Sequence, residues 1–393
     1  MTQINSVLDR VYKWSSDQGY RGYNKHDGLN SPILATLFGW GKWPRIGAIQ
    51  IVMRAPVNLR PILLVPKTYN PKGLALFAQG LFDRYRIIGT SKYLAEAELL
   101  LGLLSDLKSR GPWSGDCWGY QYSWRDPGFF APSGMPNAVV TSFVCEALLD
   151  GYRLTEKPSY LESVGSAIEF FLKDLTVLKD STDELCLSYM PLPMTMRVID
   201  VSILVSAIIA QYTALSEDQR HRDEARRLCN YVVKQQTNYG AWFYTDPPGD
   251  SLIRHDNYHT GFILDALCRY MDASGDTQWV EQYQQGLEFY ATRLFNSEGS
   301  PRWMSDQDYP HDIHGAAQGI LTFCEGRAKD RYLSKALQIV SWVLDKMYSP
   351  EGRFYYQDTG YFRRKFTLLR WCNAWMARSL SKLSLLLSAE RHT

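Results

Sequence analysis

Six stretches of this sequence are apolar on nearly every side when wound as a helix: 71–88, 136–154, 198–215, 257–273, 313–327 and 367–388. A helix with a single apolar stripe packs on a core and shows water its other face, whereas one that is apolar all round has to be enclosed by protein. Each of the first five is followed by a short turn and a more amphipathic helix, at 92–107, 160–175, 220–236, 278–294 and 332–347. Successive starts lie roughly 55–65 residues apart, the spacing of helical-hairpin repeats. The first kind is therefore inner and the second outer.

The sixth inner helix has no outer partner after it, but the segment 4–17 is an unpaired amphipathic helix, with Ile4, Val7, Leu8, Val11 and Trp14 on one side. Placed beside the last helix it closes a ring and removes the exposed repeat ends that an open two-layer solenoid would have to cap. The pattern thus predicts an all-α fold, an (α/α)6 toroid forming one domain over 1–393. Small residues such as Gly73, Gly80, Gly261 and Gly319 let the inner helices approach closely. The longer connections, 115–136, 185–197, 239–255, 299–310 and 352–366, all fall at the N-terminal ends of inner helices and so line one mouth. Alternation at 241–244 and 353–356 predicts short β-hairpins there. The segment 19–70, with several prolines and the run Gly39-Trp40-Gly41, is expected to be an irregular cover over that mouth.

Hydrophobic residues at 45% and charged residues at 21% describe a globular chain, and a net charge of +2 without a Lys/Arg run argues against a nucleic-acid partner. The seven cysteines are scattered and form no C-x-x-C pair, which points to a reducing compartment. Residues 1–20 show no secretory apolar core, and 198–215 contains Asp200 and is too short and polar for a membrane span. The expectation is a soluble, cytoplasmic protein with no membrane span and no cofactor.

Histidines are scarce, yet four of the seven open two consecutive inner helices: His255 and His259, then His311 and His314, each pair accompanied by Asp256 or Asp312. Residues three or four apart share a helix face, so each pair is placed to point into the lumen. Superposing Thr141-Ser142-Phe143, Val201-Ser202-Ile203 and Thr260-Gly261-Phe262 puts Asp200 at the ring position of His259. Imidazole titrates near neutral pH and a desolvated phenol exchanges protons, which makes His259 and Tyr258 a base and acid pair, with His311, His314, Asp200, Asp256 and Asp312 as further catalytic candidates. The alternative is that these side chains cap helices and satisfy buried backbone groups. No metal is predicted, since neither pair has the His-Glu-x-x-His form. Trp118, Tyr120, Tyr122, Trp242, Trp303 and Tyr356 offer flat faces to sugar rings, while Arg125, Arg254 and Arg370 are placed to pair with a carboxylate and Asn137 to hydrogen-bond a substrate. Carbohydrate, an acidic one, is the expected substrate.

In architecture the chain resembles the helical-toroid carbohydrate-active enzymes: uronate-polysaccharide lyases, glucuronyl C5-epimerases, N-acylglucosamine 2-epimerases and unsaturated-uronyl hydrolases. The segments 23–32, 117–120 and 370–375 are also similar to bacterial proteins that accompany polysaccharide biosynthesis, which implies association with enzymes of that process. The resemblance implies proton abstraction beside a uronate carboxylate, with Tyr258 and His259 moving the proton and Arg125 or Arg370 holding the carboxylate. Epimerisation or β-elimination follows from that step. The constellation of the 2-epimerases is missing. Two alternatives stand beside this reading: a glycoside hydrolase using two of Asp200, Asp256, Asp308 and Asp312, and a non-catalytic glycan-binding or scaffold protein.

Overall fold

The computed structural model describes residues 2–126 and 128–390; Met1, Pro127 and 391–393 of the expected 1–393 domain lie outside the described residues. The inner helices are α4 (Pro71–Ile88), α6 (Ala138–Thr155), α8 (Ile199–Leu215), α10 (Asn257–Ser274), α12 (Ile313–Phe323) and α14 (Trp375–Ala389). The outer helices are α1 (Thr2–Asp17), α5 (Ser91–Asp106), α7 (Pro158–Lys173), α9 (Arg222–Lys234), α11 (Val280–Arg293) and α13 (Lys329–Lys346). Local chemistry sets their ends. Asn70 accepts the N–H of Gly73 at 3.2 Å and Pro71 opens α4, while Gly89, with φ +72°, stops it in the left-handed conformation that glycine adopts without strain.

Each inner helix packs on the next, α4 on α6, then α8, α10, α12 and α14, and α14 packs back on α4. The ring is closed. Helix α1 completes the sixth hairpin by packing on α14, with Ile4, Val7, Leu8 and Val11 buried. Ser384 donates to Asn5 Oδ1 at 2.8 Å and Asn373 to Ser15 Oγ at 3.3 Å, joining the two ends of the chain. Space around the axis is tight enough that a Cβ at Gly80 would strike Tyr12 Oη, and one at Gly261 would strike Gln318.

Three local expectations need correction. The cover is not irregular: it forms a 3-10 turn (Asp27–Asn30) and two helices, α2 (Pro32–Phe38) and α3 (Lys42–Arg54), around a small core of Leu34, Ala48 and Val52. Pro44 sits in the first turn of α3, where a proline removes no helical hydrogen bond. Residues 241–244 are not a strand. The strand is Thr245–Asp246, paired with Arg197–Val198, whereas Arg353–Phe354 does pair with Tyr348–Ser349. The sixth inner helix starts with a π-helical turn, Arg370–Ala374. Among the described residues no helix is long and apolar enough to cross a membrane.

Away from the mouth, the inner helices are joined by a buried polar network. Arg378 of α14 pairs with Asp83 of α4, and Arg269 of α10 lies 3.4 Å from Glu146 of α6 and 3.3 Å from Glu325 beyond α12. Gln211 of α8 donates to Glu146 at 2.9 Å, and Gln318 of α12 to Asp265 at 2.7 Å. Arg378→Met removes the partner of Asp83 on the neighbouring helix and leaves it only Arg86 of its own helix, at 3.1 Å, so it is expected to lower unfolding stability by about 1.5–3 kcal/mol. Urea unfolding followed by circular dichroism checks this, with the exposed Leu99→Ala as a control that shifts stability by less than about 0.5 kcal/mol.

Candidate active site

Asp200 is the second residue of α8 and Asp256 the residue before α10, so adjacent inner helices deliver both carboxylates to the same end of the lumen. Asp256 does not cap its own helix. Its Oδ2 instead lies 2.7 Å from His259 Nδ1, and the Asp256 carbonyl accepts from Thr260 Oγ1 at 2.6 Å. A carboxylate on Nδ1 fixes the tautomer with the proton there and leaves Nε2 as the basic nitrogen. Among the described residues Nε2 has no hydrogen-bond partner, and the ring lies between Tyr244, at 4.4 Å between centroids, and Tyr258, at 4.3 Å. Asp200 is 2% exposed and its Oδ1 has no partner; burial, above all, raises its pKa, His259 opposes the rise and Asp256 adds to it. Asp200, Tyr244, Asp256 and His259 line one narrow cleft, as the superposed sequence segments imply.

Tyr258 is buried, and burial followed by the charge of Asp256 pushes its pKa well above the usual phenol value. It is therefore a proton donor at neutral pH. Beneath it lies His314, stacked at 4.6 Å with 15° between ring planes and boxed by Trp371 and Trp375. Neither nitrogen of His314 has a partner, and burial keeps the ring neutral. It supports Tyr258 from below, enclosed among Tyr258, Phe262, Trp371 and Trp375.

The opposite wall is cationic, and two of its members escape the sequence reading. Lys72, in the first turn of α4, is 2% exposed and places Nζ 3.6 Å from the Phe143 ring centroid and 4.3 Å from that of Phe262. Burial pushes its pKa well down and Arg370 adds to this, while Asp200 opposes it and the ring faces favour the charged form. Lys25, from the cover, lies 4.0 Å over Trp371 and 5.5 Å over Trp303, with its pKa pushed down to about 8 by burial against the pull of Asp312. Arg370, on the π-helical turn, is buried against Tyr120 and Trp371 with Nε unpartnered. None of the three has an ion-pair partner within 4 Å among the described residues. Tyr120 and Tyr122 stack beside Arg370 at 5.1 Å, and His26 stacks on Trp124 at the mouth. Lys72 leaves one sequence signal: a lysine at the start of a helix that is apolar all round.

Several predicted residues have structural duties instead. Trp118 Nε1 donates to Leu104 O at 2.6 Å and Trp242 Nε1 to Val232 O at 2.9 Å, so each indole satisfies a carbonyl near the C-terminus of the preceding outer helix. Asn137 caps α6 by accepting from Val140 N–H at 2.9 Å. His311 Nδ1 lies 2.8 Å from Pro301 O and its ring packs on Trp342 of α13, turned from the lumen; His255 repeats this with Trp242 O. Asp312 is saturated, accepting from His314 N–H, Trp371 Nε1 and Gln357 Nε2 at 2.9, 2.7 and 2.6 Å. Arg254 pairs with Asp306 at the surface, Arg125 lies beside Asp126, and Tyr356 is buried against Phe366. Among the described residues no group of three or more His, Cys, Asp or Glu is arranged to hold a metal ion.

Neither a family model nor a curated protein matches the sequence. Solved structures do. The chain is similar to the cellobiose 2-epimerase of Bacillus thermoamylovorans B4167, with a TM-score of 0.62 and 12% identity over 81% of this chain and 89% of that one. It is also similar to the GH76 α-mannanase BT2949 of Bacteroides thetaiotaomicron, at 0.59 and 14% over 82% and 87%. A third is an unsaturated glucuronyl hydrolase specific for heparin, at 0.59 and 11% over 81% and 88%. At these identities the likeness establishes the (α/α)6 toroid fold.

If Trp118 caps a helix and does not hold sugar, Trp118→Phe removes one buried hydrogen bond and lowers unfolding stability by about 1 kcal/mol. Turnover, measured in parallel on a folded sample, is expected to stay at the parent value.

Proposed function

We propose that this protein is an enzyme acting on a uronic-acid-containing glycan or sugar, abstracting the proton beside the carboxylate and leading to epimerisation or β-elimination. The observation that carries this is the division of the lumen into two walls. One holds a base, His259 positioned by Asp256, and a protonated phenol, Tyr258; the other holds Lys25, Lys72 and Arg370, which no carboxylate pairs. A uronate carboxylate on the cationic wall presents its neighbouring C–H to the other. His259 Nε2 takes the C5 proton, and the charge that develops on the carboxylate is met by the cations. Tyr258, beside His259 on the same wall, then protonates the departing oxygen at C4, giving the unsaturated product, whereas the epimer forms when a proton is returned to the other face of C5 from the cationic wall, by the ammonium of Lys25 or Lys72. That neighbours in fold include sugar epimerases, a polysaccharide lyase and an unsaturated glucuronyl hydrolase agrees with this chemistry.

One observation favours glycoside hydrolysis as a second reading: the raised pKa and unpartnered Oδ1 of Asp200 suit a general acid. Incubation with a panel of uronate polymers in deuterated water separates the two. Deuterium at C5, or an ultraviolet-absorbing conjugated product, is expected, with His259→Ala and Tyr258→Phe each lowering the rate by about 10²–10⁴-fold. New reducing ends without either signal would replace the proposal with hydrolysis.

Lys25 adds a pH dependence. Its folded pKa of about 8 lies below the usual lysine value, so the cation present at lower pH is lost as pH rises through about 8. The KM for an anionic substrate is expected to rise over that limb. Lys25→Arg, with a side chain that stays charged, is expected to abolish the rise.

A further inference from the structure

Between Asp27 and Asp83 the sequence contains no acidic residue, while Lys42, Arg45, Arg54, Arg60, Lys67 and Lys72 all fall there. The same stretch holds the cover, and its outer surface is unusually apolar. Trp40, Trp43, Ile51, Val57, Ile62 and Leu64 are each more than half exposed, Trp40 at 78% and Ile62 at 76%. They belong to one small unit, in which Leu29, Phe38 and Leu63 pack around Leu34, Ala48 and Val52. On α3, Trp43, Gly47, Ile51 and Arg54 follow the helical repeat along one side, opposite the buried Ala48, Ile49 and Val52. The turn after α3 presents Ile62 and Leu64 at its tip, with Leu64 held at φ +55°, and its carbonyl groups are tied down by Ser31 Oγ to Leu63 O and Val65 N–H to Arg60 O.

Large apolar side chains clustered on a surface mark a place where something else docks. Here the charge decides what. Two copies meeting by a two-fold axis on this unit would bring Lys42, Arg54 and Lys67 toward their own equivalents with no acid in the unit itself and only Asp126 acting on Lys42 from beside it. Tryptophan and aliphatic side chains in a unit whose own charges are all basic match the boundary between acyl chains and anionic headgroups. We propose that the unit 32–67 docks the protein on the surface of an anionic phospholipid bilayer, with Trp40, Trp43, Ile51 and Ile62 entering the interface and Lys42, Arg54 and Lys67 facing the headgroups. The unit covers the mouth of the ring, so docking turns the lumen toward the membrane and toward substrates anchored there. This docking is independent of the chemistry proposed for the lumen.

Co-sedimentation of the full chain with vesicles tests it, in the absence of any sugar. Binding is expected to phosphatidylcholine–phosphatidylglycerol vesicles, to weaken with added salt, and to be much weaker on phosphatidylcholine alone. The triple variant Trp40→Ser, Trp43→Ser, Ile62→Ser is expected to lose about tenfold or more in partitioning, and Lys42→Glu with Arg54→Glu to lose it selectively on the anionic vesicles. All five positions are exposed, so thermal unfolding should match the parent. Should the triple variant misfold, hydrogen exchange of the unaltered protein gives a second reading: vesicles are expected to protect 32–64 and leave α9 and α13 unchanged. No binding to anionic vesicles overturns the proposal. So does concentration-dependent dimerisation that the triple variant abolishes, which would make the surface a contact between copies.

Discussion

The ring is held by charges largely withdrawn from water. At the end away from the mouth, Arg378 and Arg269 stand among Asp83, Glu146, Asp150 and Glu325, with Gln211 and Gln318 completing a network to which each inner helix contributes. Such a cluster adds little net stability compared with an apolar plug, because desolvation offsets the attraction. Its effect is on registry: each carboxylate has one place where its guanidinium is waiting. Sliding α14 along α4 by one turn would separate Arg378 from Asp83 by about 5.4 Å and leave Asp83 only Arg86 of its own helix. The ring therefore has one register, and what stands at the other end of the six helices is fixed by what is paired at this one.

That other end is where the helices differ. Lys72 at the start of α4 and Arg370 before α14 make neighbouring cations, whereas Asp200 at the start of α8 and Asp256 before α10 make neighbouring acids. Six inner helices with their N-termini at one mouth add partial positive charge there, which favours an anion in the lumen over a cation. The acids at α8 and α10 offset this on their own wall, and Lys25 from the cover reinforces it on the other. An anionic ligand in the lumen is thus drawn toward one wall by charge alone.

The ring itself was legible because burial on every side leaves a direct mark on sequence: the six inner helices carry apolar residues on every face, and 4–17 had no partner except the last of them. His259, Tyr258, Asp200 and Asp256 were legible because repeat alignment places equivalent positions at equivalent depth. What repeat alignment does not tell is which way a side chain turns at the helix entrance. His255 and His311 occupy one repeat position and both turn outward to a carbonyl, and Trp118 and Trp242 likewise serve the hairpins. Residues placed alike by the repeat tend to belong to the scaffold, and those that break the likeness, such as Lys72, Asp200, His259 and Arg370, to the site. Lys25 was beyond reach, since it lies outside the repeats and enters the lumen only because the cover folds.

The cover ties these levels together through a single buried pair. Arg60 donates to Asp27 Oδ1 at 2.7 Å, to Asn24 O at 2.7 Å and to Lys25 O at 3.2 Å, with both members of the ion pair about 1% exposed. Arg60 lies just before the apolar turn that carries Ile62, and Lys25 is the residue whose amine stands over Trp371 in the lumen. Separating Asp27 from Arg60 would strand two charges, so the unit 24–64 moves as one piece or not at all. A surface that engages the outer face of the cover therefore acts on the position of Lys25, and through it on the charge that an incoming carboxylate meets.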